Sequence, residues 1–242
     1  MPDKMMAGLD PRIKLLVSFF IIITLTLMKH WYFPILVSGL CIVISLKLGL
    51  TGDYFKKVIF PLVMGIFILA IQGFTYGETK IDFGIIPVYV EGLDYGFLIF
   101  SRVLASASVL ILLVLTTSES DVLESMRWFR APQTIIEISS FMIRYIRTFS
   151  QEGKQMKLAF ESRCASNTGF KNRAHNAASI SAALISRAFS KSDGLYRAMV
   201  SRGWKPGLEY PIEIPPLNKS DIMLGIALVA GTIGLAAIDG FA

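Results

Sequence analysis

Charge is scarce in this chain: only 17% of its 242 residues are Asp, Glu, Lys or Arg, whereas 53% are hydrophobic. Soluble domains carry about 25% charged residues, so this balance excludes an ordinary water-soluble globule and makes the bilayer the fitting solvent. Groupings that carry chemistry are scarce too. No Gly-x-x-x-x-Gly-Lys-Ser/Thr phosphate loop occurs, which excludes ATP hydrolysis by the usual cradle of backbone amides. The two histidines, His30 and His175, and two cysteines, Cys41 and Cys164, make no His-Glu-x-x-His or Cys-x-x-Cys metal spacing and no disulfide framework. No Gly-x-Ser-x-Gly elbow presents a serine nucleophile, and the methionines are scattered as gap fillers. The expectation is a chain with no catalytic residues, no metal ligands and no cofactor of its own.

Long apolar runs are what the chain has. Five stretches approach or reach the roughly 20 residues needed to cross a bilayer: Leu15–Met28, Trp31–Leu46, Val58–Tyr76, Phe97–Thr117 and Ile222–Ile238. The first two are short and are expected to recruit flanking residues, with Lys14 and Lys47 snorkelling to the headgroups. Leu15–Met28 is read as a retained helix, since no small-residue cleavage site separates it from the next apolar run. These spans predict an all-α membrane protein with four transmembrane helices in residues 1–117, a cytoplasmic helical region in 118–217 and a fifth span in 218–242.

The distribution of lysine and arginine orients the spans, because positively charged loops stay on the cytoplasmic side. Lys4, Arg12 and Lys14 mark the N-terminus as inside, and Lys47, Lys56 and Lys57 do the same for the second loop. The third loop, residues 77–96, holds Glu78, Asp82, Glu91 and Asp94 against a single Lys80, as an external loop would. Residues 118–217 contain fourteen Lys or Arg against nine Asp or Glu and belong inside. The net charge of +6 follows from this bias and from anionic lipid, without a nucleic-acid partner. The N-terminus is then cytoplasmic and the C-terminus external.

The cytoplasmic region reads as helical and amphipathic. Ser118 or Ser120 offers an N-cap, acidic residues follow in the first turn, and Pro132 stops that first helix. Ile135, Ile138, Met142, Tyr145, Phe149, Met156 and Ala159 then recur at steps of three, four or seven, one face of a long helix whose next rung is Arg163. A second stripe, Ile180, Leu184, Ala188, Leu195 and Ala198, has Arg202 as its next rung, ahead of the breakers Gly203, Pro206 and Gly207. Each stripe thus finishes in Ser-Arg and a small residue: Ser162, Arg163 and Cys164, then Ser201, Arg202 and Gly203. Either arginine alone could be a cation complementing a helix dipole, worth about 0.3–1 kcal/mol. Dipole compensation does not ask for a serine before both, and arginine suits a rigid multidentate contact with another protein.

Inside the spans, Arg102 is the one costly feature, a functional candidate by position or a structural anchor that snorkels to the external face. Ala105, Ser106, Ala107 and Ser108 beside it, and Gly225, Gly231 and Gly234 in the last span, suit close helix packing. His30 lies beside Trp31 and Tyr32 as part of an aromatic belt, and His175 reads as a solvated residue near a helix start.

Taken in order, "LDPRIKLL", "EGLDYGFLIFSR", "LTTSESDVLESMRWFRAP", "FMIRYIRTF", "AFESR" and "SRAFSKSDGLYRAMVSRGW" resemble the transmembrane T component of energy-coupling factor (ECF) transporters, of the cobalt and nickel CbiQ/NikQ type. The resemblance covers nearly the whole chain. It implies a non-catalytic scaffold linking two cytoplasmic ATP-binding cassette ATPase subunits, which hold ATP and Mg, to a substrate-binding membrane subunit in a prokaryotic cell membrane. It also implies that Ser162-Arg163-Cys164 and Ser201-Arg202-Gly203 stand where the family has two Ala-Arg-Gly-like motifs that dock on the ATPases. Cys164 departs from the family's glycine. A T component serving vitamin-binding subunits is the alternative within the family. A membrane enzyme lacks the clustered polar groups it would need, and a self-sufficient secondary transporter lacks two matching halves of interrupted spans.

Overall fold

The computed structural model describes residues 10–75, 80–82, 87–163, 169–205 and 217–241. Its elements run α1 (Pro11–Leu27), α2 (Tyr32–Lys47), α3 (Thr51–Thr75), β1 (Lys80–Asp82), β2 (Pro87–Tyr89), α4 (Val90–Thr116), α5 (Glu119–Trp128), α6 (Gln133–Arg163), α7 (Phe170–Ser201) and α8 (Lys219–Phe241). Among the described residues, one antiparallel hairpin, with Ile81 opposite Val88, accompanies an otherwise all-α set of elements. It divides into two compact units, Met1–Ser125 with Pro215–Ala242, and Met126–Ile214.

Apolar content decides which helices can span a bilayer. Residues Thr51–Thr75, Glu91–Thr116 and Lys219–Ala237 are long and apolar enough, and Tyr32–Lys47 is a shorter apolar helix. At 1.5 Å per residue, α1 and α2, with 17 and 16 residues, are about 24–26 Å long, a few ångström short of a hydrocarbon core of about 30 Å. Three of the five expected spans thus reach full length. The other two stop early because Met28 turns to extended backbone (ψ 140°) and Gly49 takes a positive φ of 67° that closes α2. Such mismatch is absorbed by flanking polar residues and local thinning. The helices expose Leu27, Phe60 and Met223 at 73%, 72% and 75%, apolar surface that water would not tolerate and lipid covers. This is a multi-pass membrane protein.

Helix α4 is the centre of the first unit, packing on α1, α2 and α3, while α8 packs on α1. Leu25, Met28, Val37, Cys41, Ala105 and Val109 form the buried core, with Leu235 and Ala236 of α8 beside it. Small residues set the closest approaches, as van der Waals packing between apolar helices requires. A Cβ on Gly65 of α3 would lie 2.6 Å from the Phe100 ring of α4, and one on Gly225 of α8 would lie 2.7 Å from Ile13 of α1. Ala105, Ser101 and Ser108 of α4 are fully buried. Of the small residues expected to pack closely, Gly225 does so, whereas a Cβ on Gly231 or Gly234 would meet no described atom within 4 Å.

Two polar clusters tie opposite ends of this bundle. At one end the Asp10 amide donates to Asp221 Oδ2 (3.2 Å), Arg12 pairs with Glu124 (3.1 Å) and Lys14 Nζ donates to the Thr116 carbonyl (3.4 Å). At the other, Asp239 accepts from the Lys29 amide, the His30 amide (3.0 Å) and His30 Nδ1 (2.8 Å), and Arg102 Nη2 donates to the Met28 carbonyl. The starts of α1 and α8 therefore lie with the end of α4, and the end of α1 with the end of α8. That is the alternation successive spans require.

Candidate functional site

Both Ser-Arg ends take the geometry that a helix terminus imposes. The last four carbonyls of a helix lack partners within it, and local donors satisfy them. Ser162 Oγ donates to the Ala159 carbonyl (2.9 Å) and Ser201 Oγ donates to the Ala198 carbonyl (3.0 Å), the same backward bond of three residues in each helix. The serine hydroxyl is thereby turned back onto its own helix. Ser162, Arg163, Ser201, Arg202 and Gly203 are all exposed. Each arginine presents five donors in a planar fork, with a nearly identical turn of helix behind it.

The second end is complete among the described residues. The Gly203 amide donates to the Val200 carbonyl (3.0 Å) and the Trp204 amide to the Met199 carbonyl (3.0 Å), the pair of bonds that defines a Schellman cap, with Gly203 at φ 83°. Arg202 is the C-cap at φ −91°, ψ 8°. The Trp204 ring meets the Tyr196 ring edge-on at 6.4 Å, which fixes the chain leaving the helix. Cys164 lies outside the described residues, as do Pro206 and Gly207. Helix α5 shows the expected start, with Ser118 and Asp121 exchanging amide-to-side-chain bonds of 3.3 Å, and it ends in a cap with Arg130 at φ 56° ahead of Pro132.

The long stripe on α6 is divided by the structure. Ile135, Ile138 and Met142 are exposed, at 49%, 54% and 66%. Tyr145, Phe149 and Met156 are half-buried, with the Tyr145 and Phe149 rings 6.0 Å apart. Phe149 lies under Lys191 of α7, whose ammonium is 5.4 Å from the ring centre. Periodicity placed these six residues on one face but carried no information on what covers each half. No described residue covers the apolar strip of the exposed half.

Arg102 reaches the carbonyl at the end of α1 with Nη2, while its Nε has no partner among the described residues. Arg102 thus joins α4 to the end of α1. Asp239 is the polar residue that sequence reasoning passed over. It is 3% exposed and takes three hydrogen bonds from the turn between α1 and α2. An acid near the end of an apolar run was the available signal. His30, read as a member of an aromatic belt, both lies 5.2 Å from the Tyr32 ring and donates to that acid. His175 is exposed on α7. Among the described residues, no group of three or more His, Cys, Asp or Glu gathers in a way that could hold a metal ion.

Residues 3–211 match the family model of the cobalt transport protein CbiQ. The chain belongs to the CbiQ family. Its relatives share modest identity with it. It is 33% identical over 147 positions, 59% of this chain and 54% of the relative, to an uncharacterized protein of Methanocaldococcus jannaschii. A putative fused cobalt transport protein CbiMQ of Methanocorpusculum labreanum is 28% identical over 216 positions, 84% of this chain and 36% of the relative. The energy-coupling factor transporter transmembrane protein EcfT of Macrococcus caseolyticus is 27% identical over 235 positions, 85% of this chain and 86% of the relative. This CbiQ-family chain spans about half the length of the first of these and about a third of the fused protein.

Proposed function

We propose that this chain is the transmembrane coupling (T) component of an ATP-driven ECF-type importer. In this reading it is a non-catalytic scaffold between two cytoplasmic ATPase subunits, which bind ATP and Mg, and a membrane subunit that binds the substrate. Arg163 and Arg202 are the docking ends, and the exposed strip Ile135, Ile138 and Met142 faces the membrane partner. The observation that carries the reading is the repeated helix end. Two exposed arginines follow serines that make the same bond to the preceding turn, at 2.9 and 3.0 Å, which suits two like sockets on two like partners. The family and the EcfT relative support the same role.

Cobalt or nickel is the proposed substrate class, supported by the family and by the fused CbiMQ relative. The EcfT relative, aligned over 86% of its own length, is named for no metal, and a T component of a vitamin ECF transporter, the alternative that the resemblance implies, is the second reading. In the first reading the ion is cargo held by the substrate subunit. Uptake of labelled cobalt or nickel, measured against vitamin uptake in cells expressing the chain with its neighbouring membrane subunit, separates the two.

The docking role is tested by co-purification with the candidate ATPases in mild detergent. The native chain should retain them, Arg163→Ala and Arg202→Ala should each weaken recovery, and the double variant should lose it while remaining folded. Full recovery with the double variant would reduce both arginines to helix terminators.

A further inference from the structure

The two arginines are 39 residues apart, and so are Glu152 of α6 and Lys191 of α7, which form an ion pair. Laying α7 on α6 at that offset also superposes Ala159 on Ala198, Ser162 on Ser201, Met156 on Leu195 and Ser140 on Ser179. A two-fold axis relating two like helices would pass between residues at equivalent positions that touch each other, as Glu152 and Lys191 do. Each helix continues eleven residues from this pair to its arginine, so the arms are equal, at about 16 Å.

Chain length fixes how the arms diverge. Arg163 and Phe170 lie seven positions apart, at most about 25 Å of extended chain, whereas α7 runs about 31 Å from Phe170 to Lys191. Closing that triangle leaves α6 and α7 within about 50° of antiparallel, with the arginines on the order of 30 Å apart. The contacts agree with this direction. Lys191 meets Phe149 and Glu152, while Leu184, earlier in α7, lies against Gly153, later in α6.

The crossing is held by few groups. Lys191 Nζ donates to Glu152 Oε1 and covers the Phe149 ring, and a Cβ on Gly153 would lie 3.4 Å from Leu184. Glu152 is 19% exposed and its Oε2 has no partner among the described residues. Ile136 is the one fully buried residue of α6, and α7 has none among those described. A half-buried charge pair with correct partners on both sides specifies one arrangement, because a slide of either helix strands a charge. Opposite charges at equivalent positions also favour α6 with α7 over two copies of either.

We propose that Glu152 and Lys191, with Phe149 beneath, are positioning residues that pin α6 to α7 on a local two-fold axis and so set the spacing of the two arginine ends. The inference rests on the docking role proposed above for its consequence, but its geometry stands without it.

The test separates the two. In the full chain, reconstituted in lipid nanodiscs with Cys41 and Cys164 replaced by alanine, spin labels at Glu161→Cys and Val200→Cys report the distance between equivalent points of the arms. The native pair should give a single narrow distribution, with the helix axes on the order of 25 Å apart. Lys191→Glu and Glu152→Lys, each placing like charges at the crossing, should broaden it and move its mean by about one helical turn, roughly 5 Å. Lys191→Arg should leave it in place, and the exchanged pair Glu152→Lys/Lys191→Glu should restore it. An unchanged distribution in the single variants, or no recovery in the exchanged pair, overturns the proposal. Recovery of the ATPases should follow the distance, lost in the single reversals and regained in the exchange. Distances that respond as expected, in a chain that retains no ATPase even when native, would sink the docking role and leave the pin standing.

Discussion

A single hydroxyl decides how each arginine is presented. Without Ser201, the Ala198 carbonyl would need water at a helix end, and the terminal turn would fray around the guanidinium it is meant to hold. Gly203 completes the same end, since its φ of 83° lies where a Cβ meets the following carbonyl. Gly203→Ala should cost the cap about 1–2 kcal/mol, which speeds amide exchange of Gly203 and Trp204 by a factor of about 5–30. Exchange at the α6 end should be unaffected. Equal protection in both chains would mean that the Schellman bonds do not hold this turn. The serine, arginine and glycine were visible in the sequence because capping is local. Asp239 was not, because its donors at Lys29 and His30 are about 210 residues away and no local pattern links them. For Arg102 the sequence left anchor and transport roles open, and its bond to the Met28 carbonyl, 74 residues away, was not legible in any local pattern.

Between elements, contact depends on which residues are small. Gly225 lets α8 lie against Ile13 and Val17 of α1, where a Cβ would come within 2.7 and 3.3 Å of their methyls. Gly225→Leu should force α8 outward, destabilising the purified protein by about 1–3 kcal/mol, as overpacked sites do. Thermal unfolding in detergent measures the loss. Adding Ile13→Ala should recover a good part of it, and additive losses would show that the two residues do not share one contact. The apolar runs announced these helices, and glycines within them announced close packing, but not which glycine. Gly231 and Gly225 are both part of one apolar helix, and only the path of α1 distinguishes them. The α6 stripe is a similar case. Its period marked a face, whereas the division between an exposed half ending at Met142 and a half-buried one beginning at Tyr145 depends on where α7 lies.

For the whole molecule, the alternation of helix ends connects charge to topology. Asp10, Arg12, Lys14, Thr116, Glu124 and Asp221 meet at one end of the membrane bundle, and Met28, Lys29, His30, Arg102 and Asp239 at the other. Helix α1 thereby shares its two ends with those of α4 and α8, although its 17 residues fall short of the usual span length. The positive-inside bias predicts a cytoplasmic side for Arg12, Lys14 and Lys47 and for the basic residues of α6 and α7. A membrane-impermeant thiol reagent reads this out in a chain with Cys41 and Cys164 replaced by alanine. Asp94→Cys, exposed near the start of α4, should be labelled in intact cells, and Ser190→Cys, exposed on α7, should react only after the membrane is opened. The reverse pattern would invert the protein and put both arginine ends out of reach of any cytoplasmic ATPase. Labelling of both sites from outside would break the alternation itself, and with it the assignment of α1 and α2 as spans.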